Sequence, residues 1–272
     1  MRMTGGSQQS DRWLRNRCGR ITASRIVDVC SYLTRKSGDK VAGDPTSKRD
    51  DYRRELISER LTGYTKDHYN SPAMQRGSDL ENEARLYYEG ALRVMVEPVN
   101  FVLHPLYDFT GATPDGLVGS EGMLEIKCLL PWNHIEETES REIAPERFAQ
   151  VGWQLGCGGK QRRWNDLVHW CPDIKGCDKM RFKYQRIGRD ELEWKAGDRL
   201  LTGESVIDYF TEQVLKLNAE IEYYFAEREA TPIAPYPVEI ITEDGEILGE
   251  LSEADELAAA IKEIAEGVSL TP

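Results

Sequence analysis

The sequence has no run of ~18–20 apolar residues, the length that a membrane-spanning helix needs. Its first residues, MRMTGGSQQSDRW, hold no apolar stretch of the kind that a secretory signal requires. No membrane partner and a cytoplasmic location are therefore expected. Cysteine is scarce: six residues (18, 30, 128, 157, 171 and 177) among 272. That is too few to staple a chain of this length, so reduced thiols are expected. The spacing of His169, Cys171 and Cys177 fits no usual zinc framework. There is no internal repeat and no low-complexity tract. A phosphate loop is excluded too: Gly156-Cys157-Gly158-Gly159-Lys160 lacks the spacing and the trailing Ser or Thr. It reads instead as the end of a helix with Gly158 as its cap. Wholesale disorder is excluded by what is present, since 6 Trp, 12 Tyr and 6 Phe are spread along the chain.

Positive charge is scarce only at one end. The net charge is −12, but residues 239–272 alone carry −9. Residues 1–60 hold fourteen Lys and Arg against eight Asp and Glu, a local excess of +6. The overall acidity argues against a nucleic-acid partner, whereas the local charge does not.

Periodicity predicts a mixed α/β chain. The polar residues 1–10 read as frayed. Helices are predicted over 24–33, 47–61 (stopped by Gly63), 71–90, 145–156 and 205–227. In the third of these, Leu80, Ala84, Leu86 and Tyr87 are the buried candidates. In the last, Ile207, Phe210, Val214, Leu217, Ile221 and Tyr224 form the apolar stripe. Strands are predicted over 94–96, 99–103, 109–112, 123–130, 166–170 and 180–187. Residues 34–47 read as a mobile basic loop. Pro232, Pro235 and Pro237 then break the chain. The expected division is a domain over 1–232 and an acidic appendage over 233–272, a hairpin around Asp244-Gly245 followed by a short helix over 252–267.

The stretch richest in chemistry is Thr113-Pro114-Asp115-Gly116, followed after a short gap by Glu125-Ile126-Lys127. Asp115 sits where a strand turns. Glu125 and Lys127 are two apart on the next strand and so share a face, while Ile126 points to the core. Two carboxylates and a backbone carbonyl form a hard-oxygen set suited to Mg²⁺ or Mn²⁺. A lysine on the same face can orient a water and favour its deprotonation. Together these are the parts needed to hydrolyse a phosphodiester. Alone, the same residues also describe an ordinary turn and a solvated strand face.

The pattern resembles the PD-(D/E)xK nucleases and, within them, the lambda exonuclease family of YqaJ-like viral recombinases. The resemblance runs from about Trp13 to Gly158 and rests on three further stretches. Arg17-Cys-Gly-Arg-Ile-Thr-Ala-Ser24 matches a segment that in the family binds the 5′-terminal phosphate, which assigns that role to Arg17 and Ser24. Arg supplies a fork of donors, and Ser24 can cap a helix whose N-terminus favours an anion. Arg76-Gly-Ser-Asp-Leu-Glu81-Asn-Glu-Ala84 matches the helix whose glutamate assists metal binding, here Glu81; Glu83 and Glu89 read as solvent-facing. Phe148-Ala-Gln150-Val matches the family's glutamine, here Gln150, with Gln154 one turn later on the same face. Thr113 stands where close relatives have Ser and keeps a hydroxyl for a phosphate contact.

The resemblance implies a restriction-endonuclease-like fold, a mixed central sheet flanked by helices. It implies a Mg²⁺-dependent 5′→3′ exonuclease on double-stranded DNA ends, releasing mononucleotides and leaving 3′ single strands for phage recombination. The catalytic set would be Asp115, Glu125, Lys127, Gln150 and Glu81, with Asp115, Glu125, Ile126 and Glu81 holding metal and Arg17, Ser24 and Thr113 holding DNA. A ring-shaped homotrimer and a single-strand annealing partner are implied as well. Two alternatives stay open: another PD-(D/E)xK DNA nuclease, either an endonuclease or a RecB- or Cas4-like enzyme with an iron–sulfur cluster that the cysteine spacing does not support, or a DNA-end-binding module with a decayed metal site. Lys160, Arg162 and Arg163 beside Trp164 read either as a DNA contact or as a solvated loop, and Met74 either as an apolar wedge or as core.

Overall fold

In the computed structural model, the turn that carries Asp115 joins two mixed sheets. The structure describes residues 1–4, 8, 10–65, 72–140, 142–236, 239–241 and 247–250. The predicted 244–245 turn, the helix over 252–267 and the Met74 side chain lie outside them. In chain order the elements are β1 (Arg2–Thr4), α1 (Asp11–Arg17), β2 (Ile21–Thr22), α2 (Ile26–Val29), α3 (Ser47–Thr62), α4 (Pro72–Leu92), β3 (Val96–Glu97) and β4 (Val102–Leu103). Then come β5 (Thr110–Ala112), β6 (Gly116–Val118), β7 (Gly122–Lys127), α5 (Pro131–Glu139), α6 (Pro145–Gly158) and β8 (Trp164–Trp170). Last are α7 (Asp178–Arg181), β9 (Phe182–Gly188), β10 (Glu193–Ala196), β11 (Arg199–Thr202), α8 (Glu204–Glu227), β12 (Glu239–Ile241) and β13 (Ile247–Glu250).

One sheet has the order β13-β12-β1-β4-β5-β2, the other β3-β6-β7-β8-β9, and β10 and β11 form a separate hairpin. The expected mixed α/β fold holds, divided over two principal sheets. β7 and β8 are parallel, with Glu125 opposite Leu167 and Lys127 opposite His169. A parallel pair needs a long crossover, and α5 and α6 supply it. Among the described residues, no helix is long and apolar enough to cross a membrane.

The second sheet is covered on both faces. On one, Ala84 and Tyr88 of α4 pack with Leu124, Ile126, Val168 and Trp170. On the other, α6 places Val151, Trp153 and Leu155 in a larger core with Phe210, Val214, Leu217 and Ile221 of α8. Burying one leucine-sized side chain in this way contributes about 1.5–3 kcal/mol. The predicted stripe of α8 is buried except at Tyr224, where Phe225 takes the inward position. α4 rotates further from its predicted face: Leu86 and Tyr87 are exposed and Tyr88 is buried. The Tyr88 hydroxyl donates to Asp166 at 2.7 Å, and Asp166 is paired with Arg186. A polar tether of this kind carries no hydrophobic signal, so periodicity misses it.

Several basic residues of the N-terminal region are structural. Buried Arg49 donates to Glu220 of α8 at 2.8 and 2.9 Å, and buried Arg60 reaches Glu222 and Asn218 at 2.7 Å. These pairs fasten α3 to α8, and they remove two charges from any DNA-facing surface. Gly63 ends α3 as predicted, in the left-handed region with φ 68°. The helix predicted over 24–33 is only a 3-10 turn, Ala23–Arg25, followed by the single turn of α2. The loop over 34–47 is shaped by local bonds, with Lys40 held to Asp50 at 2.6 Å. α6 runs to Gly158, so Gly159, with φ 77°, caps it one residue later than predicted. Arg162 is buried and donates to the carbonyls of Gly119 and Gly122, which settles that arginine as structural. All six cysteines are free thiols.

The first and the last described strands join the first sheet. Within the segment 1–10, expected to be frayed, Arg2–Thr4 are ordered as β1, which pairs with β4 on one side and β12 on the other. The root of the acidic segment is tied to the body, with Ile233 donating to the Arg60 carbonyl at 2.8 Å and Arg20 donating to the Tyr236 carbonyl at 2.8 Å. A chain ending at Glu250 keeps these bonds and the β1–β12 ladder. One ending at Pro232 loses these bonds and the β1–β12 ladder, and its midpoint should fall by at least ~4 °C. Equal melting curves for the two truncated chains would show that the root adds nothing.

Candidate metal and DNA-end site

The site is built from the turn between β5 and β6. The Asp115 backbone N–H donates to the Leu124 carbonyl at 2.8 Å, and its Oδ2 accepts from the Ile126 N–H at 2.6 Å. Asp115 thus brackets Glu125 from the neighbouring strand. Gly116 lets β3 pack closely on β6 beside this turn: a Cβ there would stand 2.1 Å from Val96 Cγ1.

Glu125 and Lys127 alternate with Ile126 along β7, and Ile126 enters the apolar cluster under α4, as predicted. Glu125 is buried. Its Oε1 accepts from Lys127 Nζ at 2.5 Å and from Gln150 Nε2 at 2.7 Å. Lys127 also donates to Gln150 Oε1 at 3.2 Å. The other oxygen, Oε2, accepts from Gln154 Nε2 at 2.5 Å.

Carboxylates crowd this point. Burial, then the neighbouring Glu125 and Glu81, push the Asp115 carboxyl well above its usual range, and Lys127 offsets this only in part. Burial and the Glu125 charge push Glu81 up as well. Among the described residues, Glu81 and Asp115 Oδ1 have no hydrogen-bond partner. Nor, among them, is any group of three His, Cys, Asp or Glu gathered to hold an ion by itself. Asp115 and Glu125 supply two carboxylates here, and Glu81 stands close enough to raise the Asp115 carboxyl. Hard oxygens in mutual repulsion, with unused lone pairs, fit a divalent cation of the Mg²⁺ type.

A cleft of about 150 Å³ opens in front of these groups, lined by Arg17, Ser24, Thr113, Asp115, Glu125 and Gln150. The Arg17 guanidinium lies 4.3 Å from the centre of the Trp13 ring. Burial lowers its pKa, with Tyr52 and Glu59 opposing the shift, and among the described residues it has no ion-pair partner. Thr113 Oγ1 is buried without a partner among the described residues. Ser24 is exposed at the rim and sits inside the 3-10 turn, so it is not a helix cap; the capping position is Thr22. Its hydroxyl is 3.4 Å from that of Thr22. The structure thus brings Arg17, Ser24, Thr113, Asp115, Glu125 and Gln150 to one cleft, with Lys127 bonded to its wall and Glu81 close enough to act on its charges. Sequence reasoning missed Gln8, whose amide donates to the Val99 and Pro114 carbonyls at 3.0 Å and pins the turn before Asp115. No signal marked it: a lone glutamine in a polar terminus looks like solvent-facing chain.

Residues 12–161 match the YqaJ-like viral recombinase domain. The chain belongs to this family. The alkaline exonuclease LHK-Exo of Laribacter hongkongensis is 32% identical over 81% of this chain and 98% of its own, with a TM-score of 0.64. The same enzyme in complex with dAMP gives 33% identity and a TM-score of 0.65. A phage-related exonuclease of Haemophilus somnus 129PT, 14% identical, shares the fold with a TM-score of 0.58 over 77% of this chain. No curated protein matches the chain. The YqaJ match spans the Arg17–Ser24 segment, Glu81, Asp115, Glu125 and Gln150, so the cleft, Gln8 apart, lies within the family's own domain.

Beside Lys127 on the sheet, His169 Nε2 lies 3.0 Å from Glu137 Oε2, and Arg147 reaches the same carboxylate at 3.1 Å. Burial raises the Glu137 carboxyl, but the bonds from His169 and Arg147 outweigh it and bring the pKa down to about 2 from 4.5. A lowered folded-state pKa stabilises above the ordinary value and is lost as pH falls through the folded one. Stability should therefore decline between pH 4.5 and 2, and Glu137→Gln should flatten that decline in acid unfolding followed by circular dichroism. A variant with the parent's pH profile would show that the triad is not coupled to folding.

Proposed function

We propose that this YqaJ-like chain is a Mg²⁺-dependent 5′→3′ exonuclease acting on double-stranded DNA ends. The observation that carries the reading is the single cleft shared by the Asp115–Glu125 carboxylates and Arg17. Two carboxylates and a guanidinium facing one cleft support a reading in which the first hydrolyse and the second receives a terminal phosphate. The likeness to the alkaline exonuclease LHK-Exo, also solved with dAMP, supports a mononucleotide product.

Asp115, Glu125 and the Ile126 carbonyl would hold Mg²⁺ or Mn²⁺, assisted by Glu81. When bound, the metal supplies Lewis-acid polarisation of the scissile phosphodiester and neutralises its charge. Gln150 and Lys127 orient the attacking water through the amide and the ammonium that already meet at Glu125 Oε1. Lys127 also places positive charge where negative charge develops. Arg17, Ser24 and Thr113 receive the 5′-terminal phosphate, and anchoring that end fixes the polarity of digestion. The 3′ strand left behind suits recombination by strand annealing in a phage-type system, with an annealing protein as partner, a homotrimer ring around the duplex and a cytoplasmic setting. Residues 1–232 are the nuclease domain in this reading. The acidic segment from 233 is an appendage rooted on it, which DNA repels and which lies away from the DNA path.

Duplexes labelled at either end and carrying 5′-phosphate or 5′-hydroxyl decide the matter. Release of mononucleotides from phosphorylated 5′ ends in Mg²⁺, abolished by EDTA, is the expected result. Digestion that survives EDTA or starts from 3′ ends overturns the reading. Sedimentation of the chain at its 31.0 kDa monomer mass would remove the trimer.

A further inference from the structure

We propose that Gln154 and Asn165 form a positioning relay that holds Glu125 Oε2 in the protein interior and leaves Oε1 to the cleft. The inference rests on the metal-site reading above and deepens it.

The relay follows from strand register. Met123 lies opposite Asn165 and Glu125 opposite Leu167 on the parallel strands β7 and β8. Asn165 therefore shares the face of the sheet that carries Glu125. α6 crosses that face and presents Gln150 and Gln154, one turn apart. The two glutamines take different parts. Gln150 lines the cleft and bonds Oε1, where Lys127 also bonds. Gln154 and Asn165 are both wholly buried. Gln154 donates to Oε2 at 2.5 Å, and Asn165 Nδ2 donates to Gln154 Oε1 at 2.6 Å.

The direction of this chain is forced. An ionised carboxylate only accepts, so the Gln154 nitrogen must face Glu125 and its oxygen must face away. That oxygen meets a donor only if Asn165 turns its own nitrogen inward. Two primary amides enclosed in a core carry a desolvation cost that leucines of similar volume would avoid. Packing therefore does not explain the pair, whereas holding a ligand carboxylate in one rotamer does. Asn165 touches nothing in the cleft and acts only through Gln154.

Calorimetric Mn²⁺ binding without DNA, together with kcat and KM on a phosphorylated duplex in Mg²⁺, tests this on the full chain. Gln154→Met and Asn165→Leu should each weaken Mn²⁺ binding by about 10- to 100-fold. Each should lower kcat with KM for duplex unchanged. The double variant should bind Mn²⁺ no more weakly than Gln154→Met alone, because the two act in series. Asn165→Ser, too short to reach Gln154, replaces Asn165→Leu should that protein fail to fold by circular dichroism. Parent-like Mn²⁺ affinity in folded single variants, or additive losses in the double, overturns the relay. A parent chain that binds no Mn²⁺ sinks the metal-site reading and takes the relay with it. A parent that binds Mn²⁺ as well as its variants do sinks the relay alone.

Discussion

Asp115→Asn, Glu125→Gln and Lys127→Ala are each expected to cut DNA hydrolysis by at least about a hundredfold while the chain stays folded. The three should part company in metal binding. Asp115 and Glu125 are oxygen donors, so losing either charge weakens Mn²⁺ affinity. Lys127 is a cation that bonds Glu125 and Gln150, so its removal should leave that affinity close to the parent's. Stability should move against activity at Asp115. Its carboxyl is crowded by Glu125 and Glu81, so the neutral amide relieves repulsion in the metal-free chain. The Asn side-chain oxygen can still accept from the Ile126 N–H. The metal-free Asp115→Asn protein should thus melt no lower than the parent, as expected where a fold carries strain for chemistry. Near-parent cleavage by any of the three would remove that residue from the site.

The parts of the site legible in the sequence are those whose spacing translates directly into geometry. Glu125-Ile126-Lys127 is a strand triplet, and strand alternation alone sends two side chains to one face and the third to the core. Gln150 and Gln154 sit one helical turn apart, and both reach Glu125. Asp115 is a harder case. Its turn is common in sequence, and only the bracket it makes with Leu124 and Ile126 shows that it faces the carboxylate of the next strand.

What stayed hidden depends on long-range polar contacts. Gln8 reaches Pro114 and Asn165 reaches Gln154 through hydrogen bonds between segments that no local pattern links. Tyr88 faces inward in place of Leu86 because its hydroxyl has Asp166 to meet, which overrides the apolar ranking of the helix face. Charge counting was misled in the same way. Arg20, Arg49 and Arg60 enlarge the basic tally of residues 1–60, yet all three are buried, as is Arg162 further along. Arg17 differs from them in facing a cleft without an ion-pair partner among the described residues.

That difference carries the other large expectation. Arg17→Ala should depress digestion of 5′-phosphorylated ends by roughly ten- to a hundredfold, the loss of about 1.5–3 kcal/mol of charge-assisted bonding. Hydrolysis from 5′-hydroxyl ends should change far less, so the variant loses discrimination more than it loses chemistry. The physical ground is the pairing of a desolvated guanidinium with the unpartnered Thr113 hydroxyl in one cleft. Among the described residues neither group has a hydrogen-bond or ion-pair partner, and a phosphate with its several acceptor oxygens satisfies both. Arg17→Lys separates charge from geometry: a point charge on a flexible stem should recover part of the phosphate preference but not the bidentate fork. The Trp13 ring beside the guanidinium should hold either cation near the rim, so Trp13→Ala is expected to weaken end discrimination in the same direction and by less. Competition between phosphorylated and unphosphorylated duplexes in one reaction measures all three variants. If Arg17→Ala discriminates the two ends as the parent does, the anchor lies elsewhere, and the polarity of digestion needs another cause.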